Sequence, residues 1–275
     1  MNAMTIDEKF ARLKQRLNEL PPLAIAYSGG VDSTLLLRVA VAALGPENVL
    51  GVIGDSPSLP RLELEEAKTL AAGFGAHYAV VYPQELRNPH YIANPPDRCY
   101  HCKFALFTCI RDLAASQGFS AIADGNNADD AGDWRPGRRA AAELGVHSPL
   151  LEAGLGKAEI RELSRRLGLP TAEKPAMACL ASRLPYGTAI TTEILQQIEM
   201  AERILRNLGF HQIRVRHHGD LARLELLPEE LPRLVADPWR HRVNHALREL
   251  GYRHVAIDLA GYRMGSMNEW TQPQG

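Results

Sequence analysis

Apolar residues follow two different spacings along the first two thirds of the chain. Residues 6–20 carry them at helical spacing, and Thr5 with Glu8 can form a capping box in front of this run. Short apolar runs typical of buried strands then alternate with longer helical stretches. The strand-like runs are residues 23–26, 49–53, 78–81 and 121–123, and the helical stretches are residues 32–44, 61–74, 103–116 and 158–167. This alternation predicts an α/β fold with a doubly wound parallel sheet.

The pattern changes near residue 185. A helical stretch at residues 191–208 is followed by alternating runs, by a second helical stretch at residues 240–250 and by a last strand-like run at residues 254–259. The two alternating runs are residues 212–215 and 222–227. We therefore predict two domains, an α/β domain at residues 1–184 and a smaller C-terminal α+β domain at residues 185–275.

Charge and composition restrict the class of partner. The 275 residues include 31 basic and 32 acidic side chains, which gives a formal net charge of -1. A surface for nucleic acid usually needs a basic excess, so a small-molecule substrate is favoured. The first residues lack an apolar signal region, and no apolar run approaches the roughly 20 residues that span a bilayer. We expect a cytoplasmic protein that binds neither nucleic acid nor membrane.

Residues 27–33 read Tyr-Ser-Gly-Gly-Val-Asp-Ser and lie between a predicted strand and a predicted helix. A glycine turn there exposes backbone N–H groups beside the positive end of a helix dipole, which favours phosphate. Gly29 and Gly30 allow close approach of the backbone, and Ser28 and Ser33 add hydroxyl donors. An ordinary turn of a parallel sheet is the alternative. Ligands of such sheets bind beyond the carboxyl ends of the strands, so residues 55–56 and 124–126 should converge on the same crevice.

In a reducing compartment, four cysteines are expected to be reactive or metal-bound rather than joined in disulfide bonds. Cys99 and Cys102 form a C-x-x-C motif flanked by Arg98 and Lys103, where an irregular loop enters a helix. Positive neighbours and a helix N-terminus both favour thiolates, but the motif alone leaves zinc, disulfide exchange and an iron–sulfur cluster open. Cys109 lies in an apolar helical run and is expected only to pack. Cys179 lies in a stretch with little periodicity beside basic residues, which fits a reactive thiol.

These motifs occur in one order along nearly the whole chain. The order is the glycine turn, Arg-Cys-Tyr-His-Cys-Lys at residues 98–103, an acidic loop at residues 124–137, Lys-Pro-Ala-Met-Ala-Cys-Leu-Ala-Ser-Arg at residues 174–183 and Gly-Tyr-Arg-Met-Gly-Ser-Met-Asn at residues 261–268. The glycine turn resembles the PP-loop of the ATP pyrophosphatases. Together the motifs resemble the LarE family, ATP-dependent sulfur transferases that make the nickel-pincer nucleotide cofactor of lactate racemase.

The resemblance implies a chemistry and a set of roles. A carboxylate of pyridinium-3,5-biscarboxylic acid mononucleotide is activated by AMP, and sulfur then displaces the adenylate to give a thiocarboxylate. ATP phosphates would lie on the glycine turn, Asp32 would bind Mg²⁺, and Asp55 and Gly125 would border the adenosine. Some members sacrifice the sulfur of one cysteine, whereas others hold a 4Fe-4S cluster on three cysteines and deliver sulfide from it. Cys99, Cys102 and Cys179 match the three-cysteine pattern, so the cluster version is favoured.

The second domain should bind the substrate. Arg214 and Arg216 have the i, i+2 spacing that places both side chains on one face of a strand, where they could grip a phosphate and a carboxylate. The resemblance places Ser182 and Glu202 with them, and Arg183 is a further candidate. A solvated helix face would explain Glu202 as well, and an exposed edge strand would explain the two arginines. The adjacent pair at residues 217–218, two histidines, is not expected to bind metal because neighbouring strand residues face opposite ways.

Three other functions remain open from the sequence. The first is a PP-loop thiolase acting on transfer RNA, which the near-neutral charge disfavours. The second is an amidating ATP pyrophosphatase, which would leave the C-x-x-C motif unexplained. The third is a non-catalytic nucleotide-binding sensor whose cysteines report redox state. For the sulfur-transferase hypothesis we expect a sulfide donor as a further partner and a homo-oligomer.

Overall fold

The computed structural model describes residues 4–132, 136–175 and 178–263. Residues 133–135, 176–177 and 264–268, which belong to three of the motifs above, lie outside the described residues. The chain divides into two compact units. The first comprises Met1–Tyr91 and Pro96–Met177, and the second comprises Ile92–Pro95 and Ala178–Gly275. The domain boundary predicted after residue 184 stays a prediction.

The first unit contains a parallel four-stranded sheet in the order β3-β2-β1-β4. Its strands are β1 (Leu23–Ala26), β2 (Val49–Gly54), β3 (His77–Val81) and β4 (Ala121–Ala123). Helices follow the strands in sequence, as a parallel sheet requires. They are α1 (Ile6–Asn18), α2 (Val31–Leu44), α3 (Arg61–Gly73), α4 (Pro89–Ile92), α5 (Arg98–Ser116), α6 (Pro136–Glu143), α7 (Pro149–Glu152) and α8 (Lys157–Arg166).

Both faces of this sheet are covered. Leu23 and Ile25 of β1 belong to one buried cluster with residues of α1, α2, α3 and α8. Ala24 and Ala26 belong to a second cluster with residues of α5 and α6 on the opposite face. Alternate residues of one strand therefore enter different cores, which explains why β1 is apolar throughout. The predicted doubly wound α/β fold is confirmed.

The second unit has its own three-stranded sheet in the order β5-β6-β7. The strands are β5 (Arg214–His218), β6 (Leu221–Glu225) and β7 (His254–Ile257), with β5 antiparallel and β7 parallel to β6. The helices are α9 (Thr192–Asn207), α10 (Leu231–Val235) and α11 (Trp239–Glu249). Val215, Ala222 and Leu224 pack against residues of α9 and α11 in a separate core. A small second sheet with helices agrees with the predicted α+β character.

A short piece of the earlier chain belongs to this second unit. Asn94 is fully buried and has a φ of 53°. Its side-chain amide donates to the carbonyl of Pro185 at 2.8 Å, and its own carbonyl accepts from the backbone N–H of Gly187 at 2.9 Å. The carbonyl of Ile92 accepts from the N–H of Ile190 at 2.9 Å. Residues 92–95 are therefore tied into the second unit by backbone hydrogen bonds.

Candidate active site

The glycine turn between β1 and α2 has the form that the sequence predicted. Gly29 has a φ of +70°, a conformation that side chains with a Cβ rarely adopt. The Ser28 and Ser33 hydroxyls lie 3.1 Å apart, and the Ser28 N–H donates to Ser33 Oγ at 3.2 Å. Gly30 is the N-cap residue of α2 and caps the helix without a side chain. The turn thus presents two hydroxyls and bare backbone at a helix N-terminus, a suitable cradle for phosphate.

Replacing Gly29 by alanine is expected to weaken ATP binding roughly tenfold or more and to cost about 1–3 kcal/mol of stability. A Cβ at this position would lie 2.8 Å from Ala67 Cβ and 3.0 Å from Ala67 Cα of α3, so the loop has to shift. Gly75→Ala is the matched control, because Gly75 has a φ of +67° with no atom within 4 Å of the added Cβ. Titration calorimetry and urea unfolding measure both effects. Equal losses of ATP affinity in the two variants would contradict the close contact as the cause.

The loop after β4 lies against the same turn. A Cβ on Gly125 would lie 3.0 Å from the backbone nitrogen of Ser33, a tighter contact than most side chains make, so glycine favours this close approach. Asp124, which precedes it, is buried and accepts from the Ser148 hydroxyl at 2.8 Å. Burial raises the pKa of Asp124 above its usual range. The structure therefore brings the predicted residue Gly125 together with Ser28, Gly29, Gly30 and Ser33.

Asp32 lies in the first turn of α2 with its carboxylate between two neighbours. Its Oδ2 is 2.5 Å from Lys157 Nζ, and its Oδ1 accepts from the Asn127 side-chain amide at 3.4 Å. Mg²⁺ is commonly held by one or two carboxylates together with substrate phosphates. One partly exposed carboxylate beside a phosphate cradle therefore fits the magnesium role predicted for Asp32.

Asp55 follows β2, and its carboxylate forms an ion pair with Arg61 at 2.5 Å. Its backbone N–H donates to the carbonyl of Val81 at 2.8 Å, which continues the β2–β3 ladder past the end of the strand. Asp55 thus lies at the carboxyl edge of the sheet, where the adenosine was expected. Among the described residues, no hydrogen bond or ion pair joins its carboxylate to the glycine turn. The role of Asp55 at the nucleotide therefore stays a prediction.

A buried carboxyl group supports the segment after Asp55. Glu85 is 1% exposed and is hydrogen-bonded to the Ser56 hydroxyl, which lies 2.8 Å from the Ser58 hydroxyl. Glu85 Oε2 is buried without a hydrogen-bond partner in the described part of the chain. Burial raises the pKa of Glu85, and the Ser56 hydrogen bond opposes this only in part. Glu85 therefore keeps its proton to a higher pH in the folded protein than in the unfolded chain.

The free energy of unfolding is expected to fall as the pH rises from the pKa of Glu85 in the unfolded chain to its raised pKa in the folded protein. In that range the unfolded chain releases the proton that the folded protein retains, so folding binds a proton. Glu85→Gln keeps a neutral side chain of similar shape and should remove this part of the slope. Urea unfolding between pH 4 and pH 8 measures it, and an unchanged slope in Glu85→Gln would contradict the assignment.

The C-x-x-C motif lies in the first turn of α5. This helix begins at Arg98, five residues before the predicted start, so Cys99 and Cys102 are one turn apart on the same side of the helix. Cys99 is exposed and Cys102 is half-buried. The neighbouring Tyr100 is held by Arg139, whose guanidinium lies 3.9 Å from the ring centre, and by a hydrogen bond to Glu143 at 2.7 Å. Two adjacent thiols of this kind fit soft metal chemistry.

The other two cysteines lie in different surroundings. Cys109 is half-buried on α5 beside an apolar cluster, and burial raises the pKa of its thiol. Cys179 belongs to the second unit and is the N-cap residue of a 3-10 helix at Leu180–Arg183. Its carbonyl accepts from Ser182 Oγ at 2.7 Å and from an Arg183 guanidinium nitrogen at 3.0 Å. Lys174, expected to add positive charge near this thiol, is paired in the first unit with Glu63 at 2.6 Å and Glu66 at 2.8 Å.

Arg183 and Glu202 form a buried ion pair in the second unit. Two nitrogens of Arg183 donate to the two carboxylate oxygens of Glu202 at 2.9 and 3.1 Å, and both side chains are at most 1% exposed. Glu202 also accepts from the Val215 N–H at 3.1 Å. Burial alone would raise the pKa of Glu202, but Arg183 and Arg214 lower it below its usual range. The solvated helix face considered for Glu202 is therefore wrong.

Arg216 pairs with a carboxylate that the sequence reasoning missed. It donates to both oxygens of Glu225 at 2.9 and 2.7 Å, and a third nitrogen donates to the Ser182 carbonyl at 2.8 Å. Glu225 is fully buried and is also paired with Arg223 at 3.2 Å. The i, i+2 spacing of Arg223 and Glu225 in a predicted strand was an available signal that both lie on one face.

Arg214 differs from the other arginines of this cluster in its contacts. It is 4% exposed, donates to the Ile213 carbonyl at 2.7 Å and lies 5.0 Å from the ring centre of Tyr262. Among the residues described, no carboxylate forms an ion pair with it. Burial and the nearby charge of Arg183 lower the pKa of Arg214. The arginines are thus on an edge strand, as the alternative proposed, but they are buried rather than solvated.

Five guanidinium groups and three carboxylates make up this cluster. The ion pairs connect Arg183 and Arg206 to Glu202, Arg216 and Arg223 to Glu225, and Arg223 to Asp258, with Arg214 in addition. The cluster therefore carries a formal charge of +2, counted as five positive minus three negative groups. Its buried members are Arg183, Arg214 and Arg216 with Glu202 and Glu225, which leaves one excess positive charge in the interior. Such an excess favours binding of an anion such as a phosphate or carboxylate.

The two histidines of the adjacent pair differ in exposure. His217 is buried and its Nδ1 lies 3.2 Å from the Tyr252 hydroxyl, whereas His218 is exposed. Burial lowers the pKa of both imidazoles. Within the described ranges, no three His, Cys, Asp or Glu side chains are grouped as a metal ion would need. No helix in the same ranges is both long enough and apolar enough to cross a membrane.

Known proteins that resemble this chain match different lengths of it. The family model described as NAD synthase matches residues 6–87, which include the glycine turn. An ammonia-dependent NAD⁺ synthetase of Methanococcoides burtonii is 40% identical over 57 residues, which is 21% of this chain and 22% of that protein. This likeness is limited to the nucleotide-binding part.

Other relatives match nearly the whole chain. An uncharacterized protein of Synechocystis is 44% identical over 263 residues, covering 96% of this chain and 98% of the relative. The pyridinium-3,5-bisthiocarboxylic acid mononucleotide synthase of Lactiplantibacillus plantarum is 38% identical over 265 residues. That match covers 96% of this chain and 95% of the synthase, so it extends over both units.

Proposed function

Since the chain belongs to the LarE family of PP-loop enzymes, we propose that it adenylates a carboxylate of pyridinium-3,5-biscarboxylic acid mononucleotide and converts it to a thiocarboxylate. The observation that carries the proposal is the full-length match to the Lactiplantibacillus plantarum synthase. The alternative of an amidating enzyme loses support because the likeness to NAD⁺ synthetase covers only about a fifth of the chain.

The first step transfers AMP to the substrate. An oxygen of the substrate carboxylate attacks the α-phosphorus of ATP, the bond to the β-phosphate oxygen breaks, and pyrophosphate leaves. The hydroxyls of Ser28 and Ser33 and the backbone at Gly29 and Gly30 hold the phosphates, with the dipole of α2 directed at them. Mg²⁺ held by Asp32 would neutralise part of the phosphate charge. Alignment and charge neutralisation suffice, because the carboxylate is already a nucleophile.

The cationic cluster of the second unit binds the substrate's own anionic groups. Arg214 has no carboxylate partner among the described residues, so its charge is available to the phosphate or the free carboxylate of the nucleotide. Arg183, Arg216, Ser182 and Glu202 hold one another through buried hydrogen bonds and fix the cluster. The negative charge of the bound nucleotide would thus compensate the positive charge of Arg214.

The second step exchanges oxygen for sulfur. A sulfide sulfur attacks the acyl carbon of the adenylate, the bond from that carbon to the bridging oxygen breaks, and AMP leaves with the electron pair. We propose that the thiolates of Cys99, Cys102 and Cys179 hold a 4Fe-4S cluster, which when bound would supply an open iron position for sulfide. The sacrificial use of one cysteine sulfur is the alternative within the same function. The sulfide donor and the homo-oligomer stay predictions.

Anaerobic purification followed by iron and sulfide analysis and an absorption spectrum tests the sulfur source. Close to four irons and four sulfides per chain, with thiocarboxylate formed over several turnovers, is the expected result. One thiocarboxylate per chain with conversion of a cysteine to dehydroalanine would instead establish the sacrificial route and exclude the cluster proposal.

Release of AMP and pyrophosphate from ATP tests the acceptor. We expect it to depend on the biscarboxylate nucleotide and to be absent with transfer RNA. Stimulation by transfer RNA alone would favour the thiolase, and nucleotide binding without turnover on any acceptor would favour the redox sensor. Either outcome would overturn the proposed function.

A further inference from the structure

The chain that leads to Cys179 is fastened to the first unit by hydrogen bonds and ion pairs. Arg161 of α8 donates to the carbonyls of Ala172 and Lys174, the second at 2.9 Å. Ala172 is buried, with 6% of its surface exposed. We call residues 171–175 the anchored segment. Its backbone is held on α8 by a guanidinium group that contacts two of its carbonyls.

The ammonium group of Lys174 holds the same segment on α3. Its Nζ lies 2.6 Å from Glu63 and 2.8 Å from Glu66, and the lysine side chain is only 14% exposed. Burial alone would lower the pKa of Lys174, but its hydrogen bonds to both carboxylates raise that pKa above its usual range. Lys174 therefore stays charged at neutral pH and remains paired with α3.

The helix that receives Lys174 also supports the glycine turn. Ala67 follows Glu63 by four residues, so both lie on one side of α3. A Cβ on Gly29 would lie 2.8 Å from Ala67 Cβ, which shows how closely the turn packs on the helix. Burial raises the pKa of Tyr27 at the start of the turn, and the charge of Lys174 is near enough to oppose this rise. Lys174 thus joins the anchored segment to the part of the fold that holds the phosphates.

The length of chain after Lys174 limits the position of the thiol. Cys179 follows Lys174 by five residues, and five residues span at most about 18 Å when fully extended. A fixed Lys174 therefore sets an upper limit on the distance between the thiol-bearing residue and α3. A reacting group on a short tether has a higher effective concentration at its target than one on a longer free chain. Loss of the two ion pairs would lengthen the free chain before Cys179.

We propose that Lys174 is a positioning residue for sulfur transfer, which keeps the chain before Cys179 on the helix that supports the phosphate loop. The inference rests on the proposed function, because it assigns Lys174 to the second step of that reaction. Hydrolysis is the competing reaction of the acyl adenylate. Water attacks the acyl carbon, the bond to the bridging oxygen breaks, and AMP leaves with the electron pair, so the carboxylate is restored and the protons of water are released. A thiol segment that is held in place favours sulfur over water at this carbon.

The ratio of thiocarboxylate formed to AMP released, measured in an anaerobic single-turnover reaction, tests this role. Lys174→Met should lower the ratio roughly tenfold, while ATP affinity and the rate of pyrophosphate release stay within about twofold of the wild type. Lys174→Arg can pair with the same carboxylates and should restore most of the ratio. Arg165→Met is the matched control and should leave the ratio unchanged. Arg165 pairs with Glu173 of the anchored segment at 2.7 Å, but the two side chains are 50% and 73% exposed, so water can replace this pair.

The double variant Lys174→Met/Glu63→Gln separates positioning from folding. Lys174→Met alone removes the cation that pairs with Glu63, which is 8% exposed, whereas the double variant removes both charges of this buried pair. We expect the double variant to be folded by urea unfolding and to show the same tenfold lower ratio. A wild-type ratio in the folded double variant would overturn the proposal. Parallel losses of ATP affinity and of thiocarboxylate in Lys174→Met, at an unchanged ratio, would also overturn it.

Failure of the proposed function gives a different result. A wild-type protein that releases no AMP with the biscarboxylate nucleotide, or releases AMP without forming thiocarboxylate, would overturn the proposed function and this inference with it. A wild-type protein that forms thiocarboxylate at the same ratio as Lys174→Met would overturn the lysine's role alone.

Discussion

Cys179→Ala is expected to abolish thiocarboxylate formation while ATP binding persists. The thiol belongs to a half-buried residue in the second unit, whereas the phosphate loop and Asp32 lie in the first. Loss of a cysteine that carries sulfur or a cluster ligand removes the sulfur-transfer step itself. Anaerobic product analysis by mass spectrometry and calorimetric titration with ATP measure the two properties separately.

Cys109→Ala is the matched control for this experiment. Cys109 is also half-buried, but it packs against the apolar cluster of α5 and burial raises the pKa of its thiol, which disfavours the reactive thiolate. Sulfur transfer should continue in that variant. Continued transfer in Cys179→Ala, with cysteine content verified, would remove Cys179 from the mechanism.

Arg183→Met is expected to lower the free energy of unfolding by about 3–5 kcal/mol. Removal of the guanidinium leaves Glu202, which is 1% exposed, without its principal counterion. It also removes the hydrogen bonds that Arg183 donates to the carbonyls of Ala178 and Cys179, so the segment that carries the thiol loses part of its support. Urea unfolding at neutral pH measures the loss.

Arg206→Met tests whether burial causes that loss. Arg206 pairs with the same carboxylate at 3.2 Å, but its side chain is 27% exposed and water can replace it. The expected cost is below about 1 kcal/mol. Similar costs for the two arginines would show that the buried pair contributes no more than an exposed one.

The parts of the site that depend on local structure could be predicted from the sequence. The glycine turn is only a few residues long and lies between a strand and a helix. The apolar residues of β1 and α2 fix both of its ends. Burial on both faces makes β1 continuously apolar, so its bounds were predicted correctly. The start of α5 was predicted wrongly, because Arg98 and Cys99 show no apolar periodicity and Asp97 makes no side-chain cap.

The cationic cluster could be predicted only in part. The spacing of Arg214 and Arg216 indicated a shared face, but their burial depends on the segment at residues 178–185 and on β6, which no local pattern reveals. Glu202 was equally compatible with a solvated helix face, since the spacing along α9 does not identify the partner Arg183, 19 residues earlier. Lys157 gave no signal at all, because its contact with Asp32 joins residues 125 positions apart.

The hydrogen bonds of residues 92–95 limit how evolution or engineering can recombine this chain. The second unit is discontinuous, since it includes four residues that lie between the two segments of the first in sequence. A C-terminal fragment cut after residue 177 would lack the fully buried Asn94 and the amide that binds the Pro185 carbonyl. Recombination at a single crossover would therefore transfer the second unit without residues 92–95. Hybrids between relatives should take these residues from the same parent as the C-terminal part.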